Sequence, residues 1–389
     1  MTANRHRRVV VAGGGIAGLS AGLAFARDGA EVTVLERAPE IGEIGAGLQI
    51  SPNGGAVLAG LGLADAADAR SIRAQAVEPM DALSGRRIGR FDLTRLPGQP
   101  WRLFHRADLV DVLAEGARAA GVEIVTGAPV TAISAEGAIT TQGAGGFRPN
   151  LAVGADGLHS VLRPVLNPGS KPFFTGQVAW RALVAGDHPP VARVWMAPGR
   201  HVVTYPLRGG RINIVAVRET RDWVAEGWNH ADDPANLARA FADCAPELRA
   251  ILGRVQDVRL WGLFRHPVAE VWQGPAAALV GDAAHPTLPF LGQGANLALE
   301  DAWVLAAACG ADPSLARALQ SYQAIRKPRA TRTIEGANRN AVNYHLTGPR
   351  RTAAHLALRG IATVAPGAFL GRLSWLYDHD VTRAMPLAG

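Results

Sequence analysis

The sequence predicts an α/β chain: a Rossmann-like dinucleotide-binding domain, an inserted and mostly antiparallel β-sheet, and a helical C-terminal tail. Three observations predict it. A β-branched apolar run at residues 9–12 enters the pattern Gly13-x-Gly15-x-x-Gly18 and then a stretch rich in Ala and Leu. Between about 172 and 274 the texture changes to short alternating segments, "QVAWRALVAG", "ARVWMAP", "HVVTYPLRGGRINIVAVRE" and "VRLWGLFRH", the period of strands with one buried face. From 275 on, "AAALVGDAAHPTLPFLGQGANLALEDAWVLAAAC" returns to strand, glycine loop and helix.

In chain order, Val9–Ala12 has the length of a buried strand. The glycines after it let backbone approach a diphosphate, while a helix over roughly 16–28 aims unpaired N–H groups at the anion. Gly29 closes that helix, "EVTVLE" forms a second strand, and Glu36 stands 21 residues after Gly15, where an acid meets ribose hydroxyls. These residues leave FAD and NAD(P) both open. "PEIGEIGAGLQISPNGG" reads as a glycine loop with a helix from near Asn53, "RADLVDVLAEGARAAG" as a helix ending at Gly121, and "VEIVTGAPVTAIS" as strands. "LAVGADGLHSVLR" repeats the strand-then-glycine arrangement, and beyond about 315 the tail is helical. The expected division is a nucleotide-binding domain in two pieces, 1–171 and 275–389 with the C-terminal helices, around a sheet domain at 172–274 that also draws on about 75–105. No second strand–GxGxxG–helix unit occurs, which argues against a two-Rossmann reductase.

Composition narrows the class. At 389 residues and 48% hydrophobic content the chain buries a large core. The formal charge is +7, but Lys171 and Lys327 are the only lysines and the arginines are dispersed, which excludes a nucleic-acid tract and leaves a mild attraction for small anions. Two cysteines, Cys244 and Cys309, give no disulfide framework or cysteine metal cluster and fit a reducing compartment. "MTANRHRR" runs straight into the first strand, and no apolar run is long enough to span a bilayer. The expectation is a cytoplasmic protein with no stable membrane association, working as a monomer or homodimer.

Three glycine-bearing elements far apart in sequence, Gly13–Gly18, "GADG" at 154–157 and "GDAAHP" at 281–286, describe one extended cofactor site. Asp282, an acid ending an apolar strand, is costly to bury unless something binds it. With "GADGLHSVLR", "GDAAHPTLPFLGQGANLALEDA" and "SWLYDHD" in that order, nearly the whole chain resembles the single-component FAD-dependent aromatic hydroxylases of para-hydroxybenzoate hydroxylase-like fold. Within them it is most similar to the salicylate, 3-hydroxybenzoate and 6-hydroxynicotinate hydroxylase branch. The resemblance implies that Gly13, Gly15, Ile16, Ala17 and Gly18 receive the FAD diphosphate, Glu36 the adenosine ribose, and Arg37 the adenine end. Arg106 would reach the diphosphate and ribityl region, Asp156 would belong to a motif serving FAD and NAD(P)H, and Asp282 would bind the ribityl chain or diphosphate. Gly292, Gly294, Ala295 and Asn296 would pass the pyrimidine edge of the flavin, with Gln49 approaching flavin and substrate and Pro286 walling the oxygen side.

The implied chemistry is that of an NADH- or NADPH-reduced flavin which, with O2, gives a C4a-hydroperoxide that transfers OH to an electron-rich ring. A phenol is activated by deprotonation, so a base is needed at its hydroxyl. His201 and Tyr205, at i and i+4 of one strand, share a face with Val203 and are the expected catalytic pair. They resemble the His-x-x-x-Tyr strand of the 6-hydroxynicotinate branch, in which both residues meet substrate. Trp180 and Arg181 are further pocket candidates, Arg181 as receiver of a carboxylate; His285 is expected to shape the flavin-side loop. The alternatives are an epoxidase or hydroxylase of a polycyclic natural product, and, from another class, a flavoprotein sensor without turnover. A halogenase is disfavoured, since its WxWxIP signature is missing.

Overall fold

The computed structural model describes residues 2–42, 46–143, 145–220 and 230–387. The first β-branched run forms strand Arg8–Ala12, with Val9, Val10, Val11 and Ala12 buried on both faces as a central parallel strand requires. It sits in the middle of a five-stranded parallel sheet in the order Ala277–Leu279, Leu151–Gly154, Arg8–Ala12, Glu31–Leu35, Glu123–Val125. Strands from three distant parts of the sequence thus end side by side. The glycine-bearing turns that follow them gather at one edge, the usual ligand crevice of such sheets.

Helix Ile16–Arg27 packs on this sheet and against helix Gly294–Ala311. The latter is Ala/Leu-rich on every side and buried continuously from Asn296 to Gly310, so it forms an internal strut rather than a surface helix. Its partner, the 30-residue helix Leu315–Tyr344, carries Pro328 internally.

The alternating segments form an eight-stranded sheet in the order His230–Asp232, Val258–Arg265, Phe173–Ala185, Arg211–Glu219, Arg200–Leu207, Val191–Ala197, Ala76–Asp81, Phe91–Asp92. All pairings are antiparallel except Val191–Ala197 with Ala76–Asp81. Two short helices, Pro234–Ala240 and Pro246–Leu252, interrupt what the sequence reads as continuous strand texture. Leu237, Phe241, Leu248 and Ile251 from this stretch cover one face of the sheet, packing with Trp180 and Trp195. The opposite face is left for the nucleotide-binding sheet and the helical tail.

Candidate active site

One cavity of about 860 Å3 runs from the glycine turns to that opposite face. At the first turn, Gly13, Gly15, Ile16 and Ala17 line it. Gly13 has φ +107°, and a Cβ there would lie 2.5 Å from the Ala155 carbonyl oxygen. Gly18 does not reach the cavity: a Cβ on it would lie 1.8 Å from the Gly13 carbonyl oxygen, so its missing side chain lets the helix start press against the loop. Glu36 also lines the cavity. Its Oε2 accepts from the Gly14 N–H at 2.6 Å and its Oε1 from the Ala38 N–H at 2.8 Å, which pins the carboxylate at the loop edge beside Arg37.

Further along, Arg106, Asp156 and Asp282 line the same space. Asp282 lies deep in the molecule yet turns an exposed side chain into the cavity. Withdrawal from bulk water pushes its carboxyl above the usual carboxylate range, with His285, Arg106 and Arg181 pulling the other way. The same withdrawal lowers the pKa of Arg106, and the like charge of Arg181 adds to the effect. Burial also raises Asp156, whose Oδ2 accepts from the Val161 N–H at 2.7 Å while Oδ1 is buried with no hydrogen-bond partner among the described residues.

Gly292, Gly294 and Ala295 line the cavity at the start of helix Gly294–Ala311. Asn296 does not. It is buried, its Nδ2 donates to the Gln49 and Gly292 carbonyls at 3.0 and 2.8 Å, and its Oδ1 accepts from the Ser51 N–H at 3.0 Å, so it clamps strand Gly47–Ile50 to the helix. Pro286 is likewise buried behind the loop, and Leu288 and Pro289 stand on the cavity wall where the sequence expects Pro286. His285 holds the loop from beneath: its Nε2 meets Asp301 Oδ2 at 2.5 Å, and Asp301 also accepts from the Gly281 N–H at 3.0 Å and Arg326 Nε at 2.8 Å.

The far end is built by cross-strand register. Arg181 pairs with Val215 and Val215 with Val203, one row across three strands, with His201 and Tyr205 two residues to either side of Val203. All five side chains line the cavity. Strand spacing of roughly 4.8 Å puts the Arg181 backbone about 10 Å from that of Val203, within reach of a benzene-sized ligand between them. Trp180, one residue on, falls on the other face, where its Nε1 donates to Asp232 Oδ2 at 2.6 Å; it is core, not pocket. The Arg181 guanidinium stacks over Trp261 at 4.8 Å, and its Nε is buried with no hydrogen-bond partner among the described residues. Burial lowers its pKa, which Tyr205 and Asp282 partly oppose. Gln49 lines the cavity with its Oε1 accepting from Trp101 Nε1 at 3.0 Å. Gly47 backs Tyr205 so closely that a Cβ would lie 2.6 Å from the ring.

His201 is 1% exposed and packed between the rings of Phe290, Tyr344 and His345 at 5.4, 5.1 and 5.0 Å. Its Nδ1 meets His345 Nε2 at 2.7 Å, and His345 Nδ1 meets Glu219 Oε1 at 2.8 Å. Sequence reasoning misses His345 and Glu219, because nothing local marks a histidine 144 residues away as a partner.

The donor set fits a flavin dinucleotide: a glycine loop at a helix start, an acid at the end of the second strand, and two unpartnered buried atoms, Asp156 Oδ1 and Arg181 Nε, on residues lining one elongated cavity. Residues 6–337 match the FAD binding domain family. The chain is 36% identical over 391 residues to the 3-amino-4-hydroxybenzoate 2-monooxygenase PtnB3 of Streptomyces platensis, covering 96% of this chain and 97% of that one. It is 33% identical to the 3-hydroxybenzoate 6-hydroxylase of Polaromonas naphthalenivorans (strain CJ2) over 96% of each. Among solved structures, Klebsiella pneumoniae HpxO complexed with FAD and uric acid superposes with a TM-score of 0.83 at 26% identity, over 99% of both chains. A cavity shaped for FAD, a family match over most of the chain and full-length relatives that are aromatic monooxygenases lead to one conclusion: this chain belongs to the FAD binding domain family, as an FAD-dependent aromatic-ring hydroxylase.

Proposed function

We propose that the chain hydroxylates a small, carboxylated phenolic or N-heteroaromatic compound with NADH or NADPH and O2. The observation that carries this reading is the row of cavity-lining side chains that sets His201 and Tyr205 opposite Arg181, at the end of the cavity away from the dinucleotide turn. Bound FAD supplies the redox chemistry, taking reducing equivalents from the nicotinamide and delivering oxygen from O2. Gly13, Gly15, Ile16 and Ala17 would hold its diphosphate, Glu36 its ribose and Arg37 its adenine end, with Gly18 supporting the loop from behind. Arg106, Asp156 and Asp282 would hold the middle of the cofactor, and the N–H groups of Gly292, Gly294 and Ala295 would favour negative charge on the ring. Asn296 would act by clamping that helix start.

At the substrate end, Arg181 receives the carboxylate and Gln49 borders the ring. Tyr205, whose hydroxyl burial pushes far above its ordinary range, keeps its proton and donates to the substrate oxygen. His201 accepts the proton of the ring hydroxyl, which makes the ortho and para carbons electron-rich. Val203, Val215, Leu288 and Pro289 exclude water. The names of both quoted relatives describe hydroxybenzoate substrates, which carry this pair of groups. In the same reading, the sheet of 76–92 and 173–265 forms a substrate-facing unit between the two pieces of the nucleotide domain. The protein works in the cytoplasm, where the buried thiols of Cys244 and Cys309 stay reduced, as a monomer or homodimer.

The test is NADH and NADPH oxidation by purified, FAD-loaded protein across a panel of hydroxybenzoates and hydroxynicotinates, with product detected by mass. A compound that both stimulates oxidation and gains one oxygen supports the reading. Turnover only with polycyclic substrates, or ligand binding without turnover, overturns it.

A further inference from the structure

We propose that His345 and Glu219 continue the site as a proton path, His201–His345–Glu219, leading from the buried substrate hydroxyl to solvent. The path rests on the reading of His201 as the base, and it assigns positioning and proton-carrying roles to two residues that touch neither substrate nor flavin.

The geometry fixes its direction. Glu219 is a carboxylate whose side chain is 55% exposed, and an ionised carboxylate only accepts. His345 Nδ1, 2.8 Å away, must then carry the hydrogen and donate to it. A neutral His345 therefore presents a bare Nε2, which accepts from His201 Nδ1–H at 2.7 Å. That leaves His201 Nε2 as the lone-pair nitrogen of a ring that lines the cavity. One surface acid thus selects the tautomers of two buried rings, so that a base faces the substrate.

The backbone locks the same three residues together. His345 caps the C-terminal end of helix Leu315–Tyr344; its carbonyl accepts from the Gly199 N–H at 3.1 Å, and the Gly199 carbonyl accepts from the Glu219 N–H at 3.0 Å. A helix C-terminus favours a cation at its cap. The two imidazoles differ: burial lowers both, His201 further through the adjacent His345, whereas Glu219 holds His345 up. Other groups facing the pair do not compete. Tyr344 is pushed up to about 12 by burial and its hydroxyl donates to the Phe290 carbonyl at 3.3 Å. Arg200, next along the strand, is engaged by Asp243, and Arg218 lies over the Trp180 ring on the far face.

The transfer balances without a further reagent. The substrate O–H bond breaks and His201 Nε2 gains that proton. His201 Nδ1 passes its own to His345 Nε2, and His345 Nδ1 passes its own to the Glu219 carboxylate, which releases it to water. An oxyanion stays in the cavity facing His201 Nε2–H with no imidazolium left beside it, and the two rings regain their first tautomers when a proton returns along the same path to the product oxygen.

The experiment uses the FAD-loaded enzyme and 4-hydroxy-3-nitrobenzoate, a carboxylated phenol whose anion is coloured. Phenolate formation and proton release to a dissolved pH indicator are followed together by stopped flow, for wild type, Glu219→Gln, His345→Gln and His201→Asn. Glu219→Gln removes a surface charge and leaves the fold intact; it is expected to raise the apparent pKa of the bound phenol by roughly one unit, a tenfold change, and to slow proton release. Glu219→Asp should restore most of both. His345→Gln should slow release further and respond to added imidazole. If Glu219→Gln and His345→Gln match wild type in both signals while His201→Asn loses the phenolate, the path is wrong and the base stands. If His201→Asn itself matches wild type, the base assignment fails.

Discussion

Arg181→Met separates substrate recognition from fold stability, because the two respond in opposite directions. Among the described residues Arg181 makes no ion pair: its guanidinium lies over the Trp261 ring at 4.8 Å, its Nε is buried without a hydrogen bond, and Asp282 acts on it only across the cavity. Its pKa is lowered by burial, so folding disfavours the cation, and the charge costs stability at every pH below that pKa. Methionine keeps the stem and removes the charge. What is lost is the stacking on Trp261, roughly 0.5–1 kcal/mol; what is relieved is the desolvation of an unpaired guanidinium. The melting temperature of the substrate-free, flavin-loaded variant should therefore be unchanged or higher.

Binding should move the other way. Truncating one partner of a desolvated charge pair costs roughly 2–5 kcal/mol, and because the Arg181 residue is half-buried the lower part of that range applies. At 1.4 kcal/mol per tenfold this is about 30- to 300-fold in Kd. Titration of 3-hydroxybenzoate and 3-hydroxybenzamide into both proteins, followed by the flavin difference spectrum, reads it directly. The wild type should prefer the acid by that factor and the variant should bind acid and amide alike. If the variant still prefers the acid, Arg106 or another group holds the carboxylate. A variant that melts well below wild type would show instead that Arg181 is structural.

His201→Ala should slow hydroxylation by roughly 10²–10⁴-fold, the range for one positioned base, and divert reducing equivalents to hydrogen peroxide; product counted per NAD(P)H checks it, and wild-type coupling would move the base elsewhere. Asp282→Ala should weaken FAD retention in dialysis and leave the unfolding midpoint of the apo-protein unchanged or raised, because folding disfavours its ionised carboxyl. Glu300 behaves oppositely. Burial pushes its carboxyl up, but Arg326 and Arg329 outweigh this and hold it at about 2. Its contribution is thus present above the ordinary value of 4.5 and lost as the pH falls from there toward 2. Stability to denaturant should fall across that window in both proteins, and less steeply in Glu300→Gln, because Asp301 and Glu78 are also held low.

The parts of this molecule written in local pattern were legible from the sequence. Gly13-x-Gly15-x-x-Gly18, Glu36 and the strand before Asp282 need only neighbours in sequence to state their purpose, and the period of two correctly put His201, Val203 and Tyr205 on one face. Parity also separates Trp180 from Arg181, but which of the two faces the cavity depends on what covers the other side. There Leu237, Phe241 and Leu248, in a stretch read as strand, fill the layer over Trp180. Pro286 and Asn296 stand off the cavity for a related reason. A motif tells which residues lie near a cofactor, whereas the exact path of the loop decides whether Pro286 or Pro289 turns inward. Asn296 spends its amide on three backbone groups that bring strand Gly47–Ile50 to the helix.

Those long-range bonds also explain why the cavity holds its shape across elements so far apart. Asp301 accepts from the Gly281 N–H and His285 on the loop side and from Arg326 on the other; Arg326 pairs with Glu300 at 2.6 Å, and Glu300 accepts from Asn53 at 2.7 Å on the helix that follows Gln49. Every member is buried, so each charge needs its partners: removing Arg326 would leave Glu300 to Arg329 and Asp301 to His285, each short of one partner, a loss toward the lower end of roughly 3–5 kcal/mol. The same network ties the Asp282 loop, the flavin-side helix start and the Gln49 strand into one frame. Arg326→Met should consequently loosen FAD and the substrate end together, though Arg326 lines neither, whereas Asp282→Ala should affect FAD alone. Equal, independent losses in the two variants would show that the frame does not couple the sites.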